Sequence, residues 1–274
     1  MIQTDNKAAK VYYCISILHT KPIMKKELFT IAFMLTVFAA TAQQTVTGDK
    51  AAQEARQKRA VEDLFYKDWA NLNHYADANS KVPPSALNEK RVVFLGNSIT
   101  DFWINADSAF FVGKPYYDRG ISGQTTPQML VRFREDVINL NPSVVVILAG
   151  INDIAENTGP SKLENVFGNI VSMAQLARAS HIKVVLSSVL PSNYISWRPY
   201  IIPTEKIIQL NQMIKDYALK NNIVYLDYYS AMVDADKGLP KSLSNDGVHP
   251  TLQGYRVMEP LAEKAIAEAL KRKQ

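Results

Sequence analysis

A serine, a histidine and an aspartate that together can move a proton and attack a carbonyl stand at telling places in this chain. Ser98 closes the run Val92-Val93-Phe94-Leu95-Gly96-Asn97-Ser98. The four apolar residues read as a buried strand, Gly96 stops it, and the hydroxyl comes next, where open α/β sheets hold their ligands. Serine also caps helices well, so this segment alone reads first as a helix N-cap and only second as a nucleophile. Near the carboxyl end lies Asn245-Asp246-Gly247-Val248-His249-Pro250. Histidine is the side chain suited to proton transfer near neutral pH. An aspartate on one ring nitrogen would hold the tautomer whose other nitrogen can take a serine proton. The alternative is a plain turn, with Asp246 capping and Pro250 opening the last helix. Of the four histidines, His19 lies far upstream, His74 on a predicted helix and His181 just before a strand, which leaves His249 as the base.

Such residues need a scaffold that brings distant segments to one edge. Apolar runs occur at Val92–Leu95, Val144–Ala149, Val184–Val189 and Ile223–Leu226, with a weaker one near Tyr116–Asp118. The best of them are continuous rather than alternating, as in strands buried on both faces. Helical patterns lie between them at 126–140, 161–180 and 204–221, with a last one at 251–272. Strand–helix alternation predicts a parallel sheet covered by helices, here a three-layer α/β/α sandwich with a flavodoxin-like five-stranded parallel sheet. The strand order cannot be derived from periodicity. The first three strands end in Gly96-Asn97-Ser98, Gly120-Ile121-Ser122-Gly123-Gln124-Thr125 and Gly150-Ile151-Asn152-Asp153. Three polar, glycine-containing turns on one rim form a candidate site. Within the third, Asp153 is assigned a structural role, anchoring the loop through backbone N–H groups.

Upstream, residues 50–80 show apolar positions at helical spacing, with Val61, Leu64, Phe65 and Trp69 on one face. This predicts an amphipathic helix ended by Lys81-Val82-Pro83-Pro84-Ser85. No repeat or flexible linker interrupts the remainder, so one domain is read over residues 50–274.

The chain has 274 residues, of which 47% are hydrophobic and 21% charged, as expected of a globular protein with a sizeable core. Met24-Lys25-Lys26, the apolar stretch Leu28–Ala39 and the small-residue site Ala40-Thr41-Ala42 have the layout of a cleaved signal peptide over residues 24–42. A membrane span would take roughly 20 apolar residues. Residues 1–23 read as an upstream extension, with Met24 the initiator. Residues 1–42 hold five of the 31 basic residues and two of the 26 acidic ones, so the net charge of +5 falls to +2 without them. Nucleic acid is therefore not implied. The single cysteine, Cys14, also lies upstream, so the mature chain has no disulfide and no cysteine metal site. A periplasmic or secreted protein without stable membrane insertion is expected.

Gly96-Asn97-Ser98-Ile99, Gly123, Gly150-Ile151-Asn152-Asp153 and Asp246-Gly247-Val248-His249-Pro250 resemble, in order, the four sequence blocks of the SGNH hydrolases, the GDSL-type esterases and lipases. The resemblance covers about residues 90–270 and extends to the platelet-activating-factor acetylhydrolase-like members. It implies a flavodoxin-like fold, Ser98 as nucleophile, His249 as base and Asp246 as its orienter. It also implies an oxyanion hole from the N–H groups of Ser98 and Gly123 and the Asn152 amide, with no metal and no cofactor. The chain departs from the commonest first block in carrying Asn97 where aspartate usually precedes the serine. Asn97 can still hydrogen-bond and cap the turn.

The resemblance leads to a serine esterase acting on short acyl esters, acetyl on a carbohydrate being the preferred substrate. The segment Pro191–Pro199 should leave the same rim, where Tyr194, Trp197 and Arg198 are candidate substrate contacts; Trp103 is another. Trp197 could stack on a sugar, or it could pack the loop. No long apolar lid suggests action on aggregated lipid. The competing classes are an acyltransferase to a glycan hydroxyl, a lysophospholipid or lipid acylhydrolase, and a noncatalytic carbohydrate-binding protein.

Overall fold

In the computed structural model, residues 50, 53–59, 62, 63 and 66–272 are described. The chain divides after Glu62. Ahead of that point residues 53–59 are helical. The second unit, Asp63–Gln274, contains the sheet and the candidate site residues. The signal-peptide residues, and Val61, Leu64 and Phe65 of the expected amphipathic face, lie outside the described residues.

Five parallel strands form the sheet: β1 (Val92–Gly96), β2 (Tyr116–Gly120), β3 (Val144–Ile147), β4 (Lys183–Ser187) and β5 (Val224–Leu226). Their order is β2-β1-β3-β4-β5. This is the flavodoxin-like arrangement, whose ligand crevice lies at the carboxyl ends of β1 and β3, where the order reverses. The continuous apolar runs are explained by burial: every residue of β1 and β3 is buried. Helices Thr126–Asp136, Leu163–Ala179 and Thr204–Lys220 pack in succession, and the last helix, Leu252–Lys271, lies against β3, β4 and β5.

The single helix expected over residues 50–80 is interrupted. Residues 68–75 run as turns, and helix resumes only at Ala76–Ser80. Asn71 adopts φ 54°, outside the helical range, and the Asp68 carboxylate accepts the N–H groups of Leu72 and Asn73 at 2.8 and 3.0 Å. Local side-chain bonds of this kind compete with helix. The turn has a use: Trp69 and Ala70 offer carbonyls to the side chains of Gln128 and Gln124, beside the second rim turn.

Arg132, fully buried, ties the rim together. Its guanidinium donates to the Gly96 carbonyl at the end of β1, the Arg119 carbonyl in β2, Gln124 Oε1 and the Asp136 carboxylate. Asp118 is also buried; its Oδ1 accepts the Gly120 N–H, and its Oδ2 has no partner among the described residues. Burial pushes this carboxyl up to about 7, the Gly120 N–H opposes the shift, and the Asp101 charge adds to it. A folded chain that holds a proton longer than the unfolded one loses stability as pH rises, here from about 4 to about 7. Asp118→Asn cannot ionise. Its melting temperature relative to the unmodified chain is therefore expected to rise between pH 4 and pH 8; a pH-independent difference would refute the assignment.

Candidate active site

Ser98 opens the short helix Ser98–Asp101 directly after β1. The cap is the neighbouring residue: Asn97 Oδ1 accepts the Ile99 N–H at 3.0 Å. Ser98 is the first helical residue, and its hydroxyl faces His249, with Oγ 2.8 Å from Nε2. The helix-cap alternative for Ser98 is thereby excluded, and Asn97 caps the turn as expected. The other nitrogen of His249, Nδ1, lies 2.6 Å from Asp246 Oδ2. Asp246 does not cap the last helix either. That helix is capped by Thr251, whose Oγ1 accepts the Gly254 N–H.

Asp246 is held by its own turn. Oδ1 accepts the N–H groups of Val248 and His249 at 2.9 and 2.8 Å and the Ser244 hydroxyl at 3.2 Å. Gly247, at φ 81°, supplies the left-handed residue this tight turn needs. Burial alone would raise the Asp246 carboxyl. The bonds from the His249 ring, the His249 N–H and the Val248 N–H outweigh it and hold the group below the ordinary carboxylate value. The aspartate thus stays ionised against the imidazole, which suits it to stabilise an imidazolium. His74 and His181 are both exposed, and among the described residues the histidine paired with a carboxylate is His249.

Gly123 and Asn152 come to the same rim. The helix starting at Ser98 grips the second turn: Asp101 Oδ2 accepts the Ser122 N–H at 3.1 Å and the Ser122 hydroxyl at 2.5 Å. Gly123 adopts φ 80°. A Cβ there would meet nothing within 4 Å, so the glycine is required by backbone conformation, not by crowding from the protein. Among the described residues the N–H groups of Ser98 and Gly123 donate to no protein acceptor. Buried Asn152 gives one amide hydrogen to the Gln124 carbonyl at 3.0 Å, which leaves the second free. Asp153 anchors the neighbouring helix: its oxygens accept the Thr126 N–H and, at 2.6 Å, the Thr126 hydroxyl. Burial pushes its carboxyl up to about 6 against those bonds.

The expected substrate contacts divide. Trp103 is 1% exposed, stacked on Phe110 and Tyr255 and edge-on to Phe94, with its N–H toward Glu259. It belongs to the core and not to the site, because Phe94, Phe110, Phe111 and Tyr255 close around it to fill the space beside β1. Trp197 does reach the site, but one indole face lies on His249, with centroids 5.9 Å apart. Its N–H donates to Asn157 Oδ1. Arg198 is engaged through Nε with the Ala155 carbonyl. Tyr194 remains 48% exposed. Phe102, absent from the sequence-based set, packs on His249 at 5.3 Å and stays 44% exposed. Asn157, Asp101 and Ser244 were also missed, since each acts through a contact that no motif records. Among the described residues no group of His, Cys, Asp or Glu side chains is arranged to hold a metal, and no helix is long and apolar enough to cross a membrane.

Residues 94–257 match the GDSL-like lipase/acylhydrolase family, and the chain belongs to it. It is thus a carboxylic ester hydrolase by class. Among solved structures it is similar to a chain from Bacteroides fragilis assigned to the acylhydrolases (53% identity, TM-score 0.73, covering 75% of this chain and all of that one). It is also similar to a GDSL-like lipase from Bacteroides thetaiotaomicron (49% identity, TM-score 0.72, covering 74% and 100%). A curated relative, an acetylxylan esterase of Geobacillus stearothermophilus, is 26% identical over 149 residues, 52% of this chain and 67% of the relative.

Proposed function

We propose that the protein is a serine esterase that removes short acyl groups, acetyl foremost, from a carbohydrate. The observation that carries the serine-esterase chemistry is the chain of contacts Ser98 Oγ–His249 Nε2 (2.8 Å) and His249 Nδ1–Asp246 Oδ2 (2.6 Å). Ser98 Oγ attacks the ester carbonyl as His249 Nε2 takes its proton. Asp246 holds Nδ1–H and stabilises the imidazolium without taking the proton. The tetrahedral oxyanion accepts from the N–H groups of Ser98 and Gly123 and from the free hydrogen of Asn152 Nδ2. Collapse expels the alcohol, which takes the proton from His249 and leaves acyl-Ser98. Water then attacks, giving its proton to His249, and the free acid departs as the proton returns to Ser98.

Donors preset for the oxyanion act on charge that develops only in the transition state. Asn152→Ala is accordingly expected to lower kcat by about 10²–10³-fold on a short acyl ester. A steady-state assay showing less than a tenfold loss would remove Asn152 from the oxyanion hole.

The similarity to an acetylxylan esterase supports the acetyl and carbohydrate parts of the reading. The exposed ring of Phe102, which packs on His249, offers a surface on which a sugar face can lie, and the exposed Tyr194 is a second candidate. The test is a series of acetylated xylo-oligosaccharides set against simple esters of increasing acyl length, with free acid and acyl transfer both measured. Release of acetate, falling with chain length, is the expected outcome. Preference for long chains, or acyl transfer to an added sugar in place of acid release, would overturn it. Export to the periplasm or beyond is part of the same proposal and rests on the pattern of residues 24–42; uncleaved protein in the membrane fraction would contradict it.

A further inference from the structure

We propose that Asn157 is a positioning residue that couples the oxyanion turn to the catalytic base. The inference rests on the function proposed above. No motif marks Asn157, which lies beyond the Gly150–Asp153 block on a half-buried loop. Three of its four polar groups reach the site. Its backbone N–H donates to the Asn152 carbonyl at 3.0 Å. Its Nδ2 donates to the Gly123 carbonyl at 3.2 Å. Its Oδ1 accepts the Trp197 indole N–H at 3.0 Å. Trp197 in turn lies over the His249 ring, with an interplanar angle of 29°. One carboxamide therefore joins the residue offering an oxyanion N–H to the ring that flanks the base.

The chemistry of the partners makes the amide specific. A peptide carbonyl only accepts and an indole N–H only donates, so the bridge needs one donor and one acceptor side by side. Aspartate has the same shape but would set an oxygen against the Gly123 carbonyl. Gly123 has no Cβ to restrict it, and fixing its carbonyl limits where the turn can point its N–H. His249 must accept and release a proton without swinging away, and the rings of Trp197 and Phe102 both pack against it. The bond from Arg198 Nε to the Ala155 carbonyl, at 3.2 Å, clamps the same two loops a second time.

The experiment compares Asn157→Asp, Asn157→Ala, Trp197→Phe and the Asn157→Ala/Trp197→Phe double variant with the unmodified chain. Steady-state hydrolysis of a short acetyl ester, the rate of phosphonate labelling of Ser98, and the melting temperature are measured on each. Misplacement of reacting groups by a remote change can cost about 10²-fold, so both Asn157 variants are expected to lose about 10–100-fold in kcat, with KM little changed and melting preserved. Labelling slows in parallel. Trp197→Phe keeps a ring over His249 but lacks the N–H, so it should lose less, and adding it to Asn157→Ala should cost little more, because one link is broken twice. In proton NMR, the downfield signal of the His249 Nδ1–H should broaden in Asn157→Ala. Unchanged kcat in both Asn157 variants, a loss that only tracks the unfolded fraction, or independent multiplication of the two single losses would each overturn the coupling. An unmodified chain that neither hydrolyses esters nor labels at Ser98 would overturn the esterase reading and this inference with it. An active, labelled chain with indifferent Asn157 variants would overturn the coupling alone.

Discussion

Ser98→Ala is expected to lower kcat for a short acyl ester by about 10⁵–10⁶-fold while leaving the fold intact. The alanine keeps the backbone N–H at the start of the Ser98–Asp101 helix and the cap from Asn97, since neither uses the hydroxyl. What disappears is the nucleophile and the hydrogen-bond partner of His249 Nε2. Residual hydrolysis would come from binding and the oxyanion donors, which stabilise charge even without an acyl-enzyme. The measurement is kcat together with mass-spectrometric search for an acyl or phosphonate adduct. An adduct at another serine, or activity within tenfold of the unmodified chain, would end the assignment of Ser98.

Asp246→Asn carries the second largest expected effect, about 10⁴-fold in kcat. Asparagine can keep its Oδ1 on the N–H groups of Val248 and His249 and on the Ser244 hydroxyl. Its amide nitrogen then faces His249 Nδ1, where the aspartate oxygen sits at 2.6 Å. Two donors cannot share that contact, so Nδ1 becomes the acceptor and the proton moves to Nε2. The nitrogen that should take the Ser98 proton is then already protonated. The loss is thus one of tautomer and not of packing, and the melting temperature should fall only by what the ionised carboxylate adds to the turn. A decrease below tenfold, or a large drop in stability that accounts for lost activity, would show that Asp246 does not orient the base.

What could be read in the chain was what short-range physics decides. β1 and β3 were legible because strands covered on both faces have no need of polar residues, and both are wholly buried. The Asp246–His249 contact was legible because three residues and one left-handed glycine suffice to close it. The break at 68–75 was not, because helical spacing of apolar residues says nothing of Asp68 capturing the N–H groups of Leu72 and Asn73. Trp103 was ambiguous for a similar reason. A tryptophan five residues after Ser98 has the same letter whether it meets substrate or, as here, Phe110 and Tyr255.

Sequence alone determined which side chains have the chemistry, which turns expose them and which segments become strands, since these depend on residue type and on neighbours a few positions away. Tertiary structure alone decided that Ser98 meets a histidine 151 residues later. It also decided that the reversal of strand order falls between β1 and β3, and that Asn157 stands between Gly123 and Trp197. Those contacts are made only when the sheet closes, because the packing of buried faces, and no local preference, sets the distances across its rim.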